Sequence, residues 1–305
     1  MTPTYEGRQY TDPDDLLVDQ GLQFDIATLM NRRGLLHLLG VGAGTVALAA
    51  CAPTASSETT PTAASSASAA SAELTEIPEE TAGPYPGDGS NGADVLEQSG
   101  VVRSDIRSSF GTSTTTAEGV PMTLELTVLD LAGGGAGFAG VAVYVWHCTR
   151  DGGYSMYSEG LTGENFLRGV QIADADGKVS FTSIFPGCYS GRWPHIHFEV
   201  YPDEASITDT ANKLATSQVA LPEAVCRDVY AMDGYAGSGD NLARITLASD
   251  NVFGDDEGAH QLATVSGDTA AGFTVALTVP VDTTTEPTAG GARGDGPPPG
   301  DGGRP

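Results

Sequence analysis

The chain predicts a mostly-β fold, a single β-sandwich domain of roughly 200 residues. Three observations carry that expectation. Apolar and β-branched residues recur with a period of two in short runs, turn signals separate the runs, and no long segment sustains a 3.6-residue period. In chain order the strand candidates are Met122 to Asp130, Val141 to Cys148, Val179 to Phe185, His195 to Tyr201, Thr216 to Leu221 and Gly272 to Val279. The first two flank a glycine-rich loop, Gly133 to Gly140. Asp174-Ala175-Asp176-Gly177 is a turn that leads into Val179-Ser180-Phe181. Asp174 and Asp176 supply only half of a calcium loop, so a plain turn is the reading there.

The remaining sequence flanks this domain. From Ala52 to Ser71 the chain is almost entirely Ala, Ser, Thr and Pro, with too little apolar bulk to offset the entropy of ordering. A disordered linker over 52–76 and a loose Gly/Pro tail over 283–305 therefore bound a folded region at 77–282. Forty acidic against 14 basic residues give a formal net charge of -26. That balance repels nucleic acid and anionic lipid headgroups, and no basic stripe offsets it.

Residues 1–51 read as an export signal. Arg32-Arg33 precedes a modestly apolar run too short and Gly-rich for a comfortable membrane span, and the pair resembles a twin-arginine signal. Leu48-Ala49-Ala50-Cys51 resembles a bacterial lipobox, which would make Cys51 a lipidated first residue and the protein a cell-surface lipoprotein. Cleavage after Ala47-Leu48-Ala49 by the ordinary signal peptidase is the alternative, and gives a secreted protein without lipid. The acidic stretch before Met30 is unusual for a signal, so translation from Met30 is a second option. Outside the cytoplasm two of Cys148, Cys188 and Cys226 could pair, or all could be buried thiols; spacing leaves this open.

Arg192-Trp193-Pro194-His195-Ile196-His197 is the most informative stretch. Alternation along a strand puts His195 and His197 on one face and Ile196, Phe198 and Val200 on the other. The apolar set can enter a core while both imidazoles converge on one point, a ready metal chelate. In an isolated pair, two solvent-facing histidines would be the plainer alternative. Here Tyr189 lies in a loop that Pro186 and Gly187 bend back toward the strand, and Tyr154 follows a glycine turn at a strand end. A phenol of ordinary pKa, about 10, ligates poorly unless a hard trivalent cation strips its proton. Two imidazoles with two phenolates therefore select Fe(III) over zinc, whose sites favour Cys, His and carboxylates.

Read in order, Val143-Tyr144-Val145-Trp146, Gly152-Gly153-Tyr154, Asp174-Ala175-Asp176-Gly177, Phe185-Pro186-Gly187-Cys188-Tyr189 and Arg192-Trp193-Pro194-His195-Ile196-His197 resemble the intradiol ring-cleavage dioxygenases, specifically their exported branch. The resemblance starts at Glu80-Thr81-Ala82-Gly83-Pro84-Tyr85 and runs to about Val281. It implies a β-sandwich of that type with long loops forming the metal site. It also implies Tyr154, Tyr189, His195 and His197 as iron ligands, Arg192 as the active-site arginine and Gln218 as a substrate-binding glutamine. The stretch between His197 and Gln218 is longer than the family's usual one. The implied reaction is cleavage of a catechol or hydroxylated catechol by O2 to a muconate-type dicarboxylate. Tyr189 would take a catechol proton as it leaves the iron, and Arg192 would stabilise negative charge near the ring. The other class of reading is a lipid-anchored, non-catalytic β-sandwich that binds aromatics or carbohydrate. His147 reads as a satisfied strand-end histidine, Arg168 as a loop-ordering residue, Trp193 as pocket wall or packing, and Glu199 as a neighbour of the metal face or solvated. The particular catechol and the oligomeric state are open.

Overall fold

The computed structural model describes residues 74–287 and two short strands near the start, Thr4–Tyr5 (β1) and Arg8–Gln9 (β2). The chain divides into two compact units, 1–72 and 73–305. In the first, β1 pairs antiparallel with β2. Arg32-Arg33, the Met30 start, the lipobox at Cys51, the Ala/Ser/Thr stretch and the tail beyond residue 287 lie outside the described residues. No described helix is long and apolar enough to cross a membrane.

The second unit is a sandwich of two sheets. Pro121–Asp130 (β3), Ala136–Gly137 (β4), Lys178–Ile184 (β7), Thr264–Asp268 (β10) and Gly272–Val281 (β11) form one sheet. Ala142–Trp146 (β5), Arg168–Ile172 (β6), His195–Tyr201 (β8) and Ala215–Ala220 (β9) form the other, in the order β6-β5-β8-β9 with every pair antiparallel. Alternation along β3 points Met122, Leu124, Leu126 and Val128 inward, where they meet Val143 and Val145 of β5 and Ile196, Phe198 and Val200 of β8. The predicted strands are all present with small shifts of boundary. The segment expected at Val141 to Cys148 pairs only over Ala142–Trp146, because His147 onward turns into a loop, and the glycine-rich loop contains the short β4. Among the strands longer than two residues, β6 and β10 were not expected.

The two helices that follow β9, Glu223–Tyr230 (α1) and Ser238–Leu242 (α2), were not among the expected elements. Cys226, Val229 and Tyr230 form the buried stripe of α1, and Glu223 pairs with Arg227 one turn on.

Each strand of the second sheet is buried on both faces near the site; all seven residues of β8 are buried. The inner face packs on the first sheet. An irregular arm, residues 77–106, covers the outer face with Val95, Leu96 and Val101, which pack against Tyr144, Trp146 and Val170. The arm is tied down by backbone bonds from Glu80 N to Thr216 O (2.8 Å), Arg103 N to Val170 O (2.9 Å) and Ile106 N to Thr182 O (2.9 Å). Glu76 also accepts from the Thr285 hydroxyl (2.7 Å), so order extends slightly beyond the expected 77–282 at both ends.

Candidate metal centre

The outer face of the second sheet is where polar side chains collect. Strand register aligns Arg168 of β6, Trp146 of β5, His197 of β8 and Gln218 of β9 in one row across it. The next row carries Val170, Tyr144, Glu199 and Thr216. Trp146 lies flat on His197, with ring centroids 4.8 Å apart and planes within 4°. The His197 ring therefore has little freedom to rotate.

The two histidines share a face as strand alternation requires, and their Nε2 atoms are 3.1 Å apart. His195 Nδ1 donates to the Trp193 carbonyl oxygen (2.5 Å), which leaves Nε2 as an acceptor. The Tyr189 hydroxyl is 3.2 Å from that Nε2. Tyr154 completes the group, its ring 5.9 Å from that of Tyr189 and 6.4 Å from that of His197. The Tyr154 hydroxyl is buried with no hydrogen-bond partner.

Two loops deliver the tyrosines. Thr149 N bonds Gly153 O (2.7 Å) to close the first, after which Tyr154 N bonds the Ser158 hydroxyl (2.8 Å). The second rests on the first through Gly187 N to Thr149 O (3.0 Å). Gly152 has φ +86°, and a Cβ there would sit 3.0 Å from the Tyr189 Cβ. That position must be glycine both for its backbone and for the approach of the two loops. From the far side, α2 holds the second loop: the Ser238 hydroxyl accepts from Cys188 N (3.0 Å) and Asn241 Nδ2 donates to Cys188 O (2.8 Å).

Burial sets the protonation states. It pushes His195 down to about 3, aided by the positive charge of Arg192, and holds His197 well below the ordinary imidazole range. Both rings therefore present neutral nitrogens. Burial also holds the Tyr154 phenol well above its usual range. A buried, unpartnered phenol beside two neutral imidazoles is costly as it stands and is relieved by a cation. Nitrogens 3.1 Å apart match two donors at about 2.1 Å from a common ion, subtending a little over a right angle. Among the described residues no three His, Cys, Asp or Glu side chains cluster as a metal site. A metal here must draw on the phenols. The set fits a hard, high-valent cation.

Arg192 is buried at 3 % exposure, with Nε 3.0 Å from Asp250 Oδ2 and Nη2 2.7 Å from Gln218 Oε1. Gln218 Nε2 donates in turn to Thr81 O (2.9 Å). The structure thus brings together Tyr154, Tyr189, Arg192, His195, His197 and Gln218. The long connection before Gln218 is accommodated by two 3₁₀ turns, Glu204–Thr208 and Thr210–Asn212. Asp250 was not among the expected residues.

Neighbouring residues resolve as follows. His147 is buried away from the group, bonded to Cys148 O (2.8 Å) and the Ser183 hydroxyl (2.7 Å). Trp193 packs in the inter-sheet core and donates to Leu221 O (2.9 Å). Arg168 orders the arm and a loop by donating to Tyr85 O (2.9 Å), Pro86 O (2.7 Å) and Ser155 O (3.0 Å). Glu199 is buried and paired with Lys213 at 2.9 Å. Cys148, Cys188 and Cys226 are buried free thiols. Asp174 caps its own turn, accepting from Asp176 N and Lys178 N (both 2.9 Å).

Residues 103–197 match a family model described as dioxygenase. A curated chlorocatechol 1,2-dioxygenase from Rhodococcus opacus is 32% identical over 88 residues, which cover 23% of this chain and 34% of that protein. The match thus spans about a third of the relative's length. Among solved structures, an intradiol ring-cleavage dioxygenase from Tetranychus urticae superposes with a TM-score of 0.56 at 20% identity, covering 72% of this chain and 100% of that one. The dioxygenase Tetur07g02040 gives a TM-score of 0.57 at the same identity and coverage. At that identity the two structures speak for the fold.

Proposed function

We propose, from the intradiol ring-cleavage dioxygenase family that the family match, the curated relative and the fold together indicate, that this chain cleaves a catechol between its two hydroxylated carbons with O2. The product is a muconate-type dicarboxylate. Fe(III) is the metal, held by Tyr154, Tyr189, His195 and His197. One observation carries the reading: two neutral imidazole nitrogens and a phenol hydroxyl lie within 3.2 Å of their neighbours, beside an orphaned second phenol, on one face of one sheet.

When bound, ferric iron supplies Lewis acidity and a point of chelation for the two oxygens of the diol. The chain's own residues have distinct parts. Tyr154 is 1 % exposed and walled by Tyr85 at 4.9 Å, which suits a permanent anchor. Tyr189 is only partly buried, and its oxygen already accommodates a proton against His195. It is therefore the phenol placed to accept a catechol proton on release. Arg192 offers a fixed positive charge to negative charge that develops on the ring, in surroundings dry enough for that charge to count. Gln218 and Asp250 hold the guanidinium in place. The arm over residues 77–106 excludes water from the sheet face. Function outside the cytoplasm, by the Arg32-Arg33 route with or without lipid at Cys51, is part of the same proposal.

The test is optical and respirometric. Iron-loaded protein is expected to show a visible tyrosinate-to-iron band that an anaerobic catechol shifts, and to consume O2 with catechol, hydroxyquinol or a substituted catechol. A colourless protein carrying stoichiometric metal would overturn the proposal.

A further inference from the structure

Asp250 is a buried acidic group beside Arg192 that the donor set leaves unused. It sits at the end of the 3₁₀ turn Leu247–Ser249, 2 % exposed, in a segment far from β8 in sequence. One of its oxygens, Oδ2, accepts from Arg192 Nε (3.0 Å) and from Trp193 N (2.6 Å). The other, Oδ1, accepts from Val252 N (2.9 Å) and Phe253 N (3.0 Å). Burial alone would raise its pKa. Arg192 and those backbone N–H groups outweigh burial and hold it below the usual carboxylate range. With Arg192 Nη2 also 3.5 Å from Oδ1, donors from four residues converge on one small side chain, and two of those residues, Arg192 and Trp193, are consecutive in the stretch that carries the histidines.

The geometry points to Asp250 as the positioning residue for Arg192, locking the guanidinium against Gln218 so that its charge faces the catechol ring. This rests on the proposed function. The guanidinium is held from two sides, Asp250 on Nε and Gln218 on Nη2, and Phe253 lies below it with its ring centroid 6.0 Å from Cζ. A long, flexible cation is thereby reduced to one orientation before substrate arrives. Pre-orientation matters because a displacement of about 1 Å at a reacting centre can cost on the order of 100-fold in rate. The same carboxylate oxygen also fixes Trp193 N, and the Trp193 carbonyl receives His195 Nδ1–H. Asp250 therefore ties the arginine and one metal-binding histidine to a common frame.

Asp250→Asn separates the two links. An amide oxygen can still accept from Trp193 N, so His195 stays in place, while the charge that grips Arg192 is lost. The expected result on iron-loaded enzyme is unchanged iron content and tyrosinate band, with kcat on catechol reduced about 10- to 100-fold and KM changed much less. In an Arg192→Met background, Asp250→Asn is expected to lower kcat by less than about 2-fold, since the group it positions is already gone. Equal fold-losses in both backgrounds, or loss of iron from Asp250→Asn, would show that Asp250 serves the ligand loop instead and overturn the inference. Should Asp250→Asn not fold, Arg192→Lys tests the same point. Lysine keeps the charge but cannot bond Asp250 and Gln218 through a planar fork. It is expected to lose nearly as much kcat as Arg192→Met, and wild-type kcat there would refute the role. A wild-type chain that binds iron without a tyrosinate band sinks the proposed function, and this inference with it. A coloured, active wild type with additive variants sinks this inference alone.

Discussion

Lys213→Met is expected to destabilise the iron-free protein strongly at pH 8 and much less at pH 5.5. Lys213 Nζ lies 2.9 Å from Glu199 Oε1 and 3.4 Å from Asp88 Oδ2, and neither carboxylate side chain is exposed. Asp88 belongs to the arm and Glu199 to β8, so this one ammonium clamps the cover onto the strand that carries His195 and His197. Tyr201 also donates to Glu199 (2.8 Å), and both the hydroxyl and the amide of Ser90 donate to Asp88. Burial, against the pull of Lys213, raises Glu199 from 4.5 to about 7. A carboxyl whose folded pKa lies above its unfolded one contributes fully below 4.5, and that contribution is lost as pH rises to about 7. Removing the cation raises that pKa further, so the loss deepens above pH 7. Breaking a buried pair by deleting one partner costs about 3–5 kcal/mol, which is the penalty expected at pH 8. At pH 5.5 Glu199 is protonated with or without Lys213, and the penalty falls to about 1–2 kcal/mol, the Asp88 contact alone. Urea unfolding of both proteins at the two pH values measures the difference. Equal penalties, or less than about 1 kcal/mol at pH 8, would refute the reasoning.

Tyr154→Phe is expected to lower iron content and bleach the visible band, because it removes the one donor among the four whose hydroxyl has no hydrogen-bond partner; metal analysis with absorbance checks this. Gly152→Ala forces a positive φ on a side chain and pushes against Tyr189, so a loss of about 1–2 kcal/mol together with weaker iron binding is expected in thermal unfolding and iron titration. His147, pushed by burial from 6.5 down to about 4, contributes stability above pH 6.5 that is lost as pH falls toward 4. His147→Gln should therefore flatten the acid limb of the iron-free stability profile, by about 2 kcal/mol between pH 6.5 and 5, and an unchanged limb would contradict it.

The central strands and the clustering of Tyr154, Tyr189, His195 and His197 were legible because both depend on local pattern. Period-two alternation marks β3 and β8 whatever packs on them, and the same alternation assigns His195 and His197 to one face. Pro186-Gly187 and Gly152-Gly153 advertise the loops that carry Tyr189 and Tyr154. β6 stayed hidden because Arg168-Gly169-Val170-Gln171-Ile172 has a charge and a glycine where a strand signal wants bulk. The structure explains both: Arg168 is consumed by carbonyls of the arm, and a Cβ at Gly169 would lie 2.5 Å from Ile106. β10 is an exposed edge strand with no apolar face to betray it. α1 did carry a signal, Pro222-Glu223 at its start and an apolar stripe at Cys226, Val229 and Tyr230, but eight residues are too few for periodicity to stand out.

Asp250 shows the deeper reason why part of a site resists reading. In a chain with 40 acidic residues, a lone Asp between Ser249 and Asn251 has the composition of any surface turn. Its significance lies in a pairing across 58 residues, with Arg192, that no periodicity encodes. The candidate donors announce themselves by type and spacing, since the chain has only 5 histidines and the chemistry of His and Tyr is specific. The residues that hold those donors still are ordinary ones, and only the fold distinguishes a buried carboxylate that grips an arginine from its many solvated counterparts. The orientation of Arg192 is therefore tied to a residue whose identity looks interchangeable. That is why the coupling between Asp250→Asn and Arg192→Met, rather than either loss alone, decides whether the arginine is positioned or merely present.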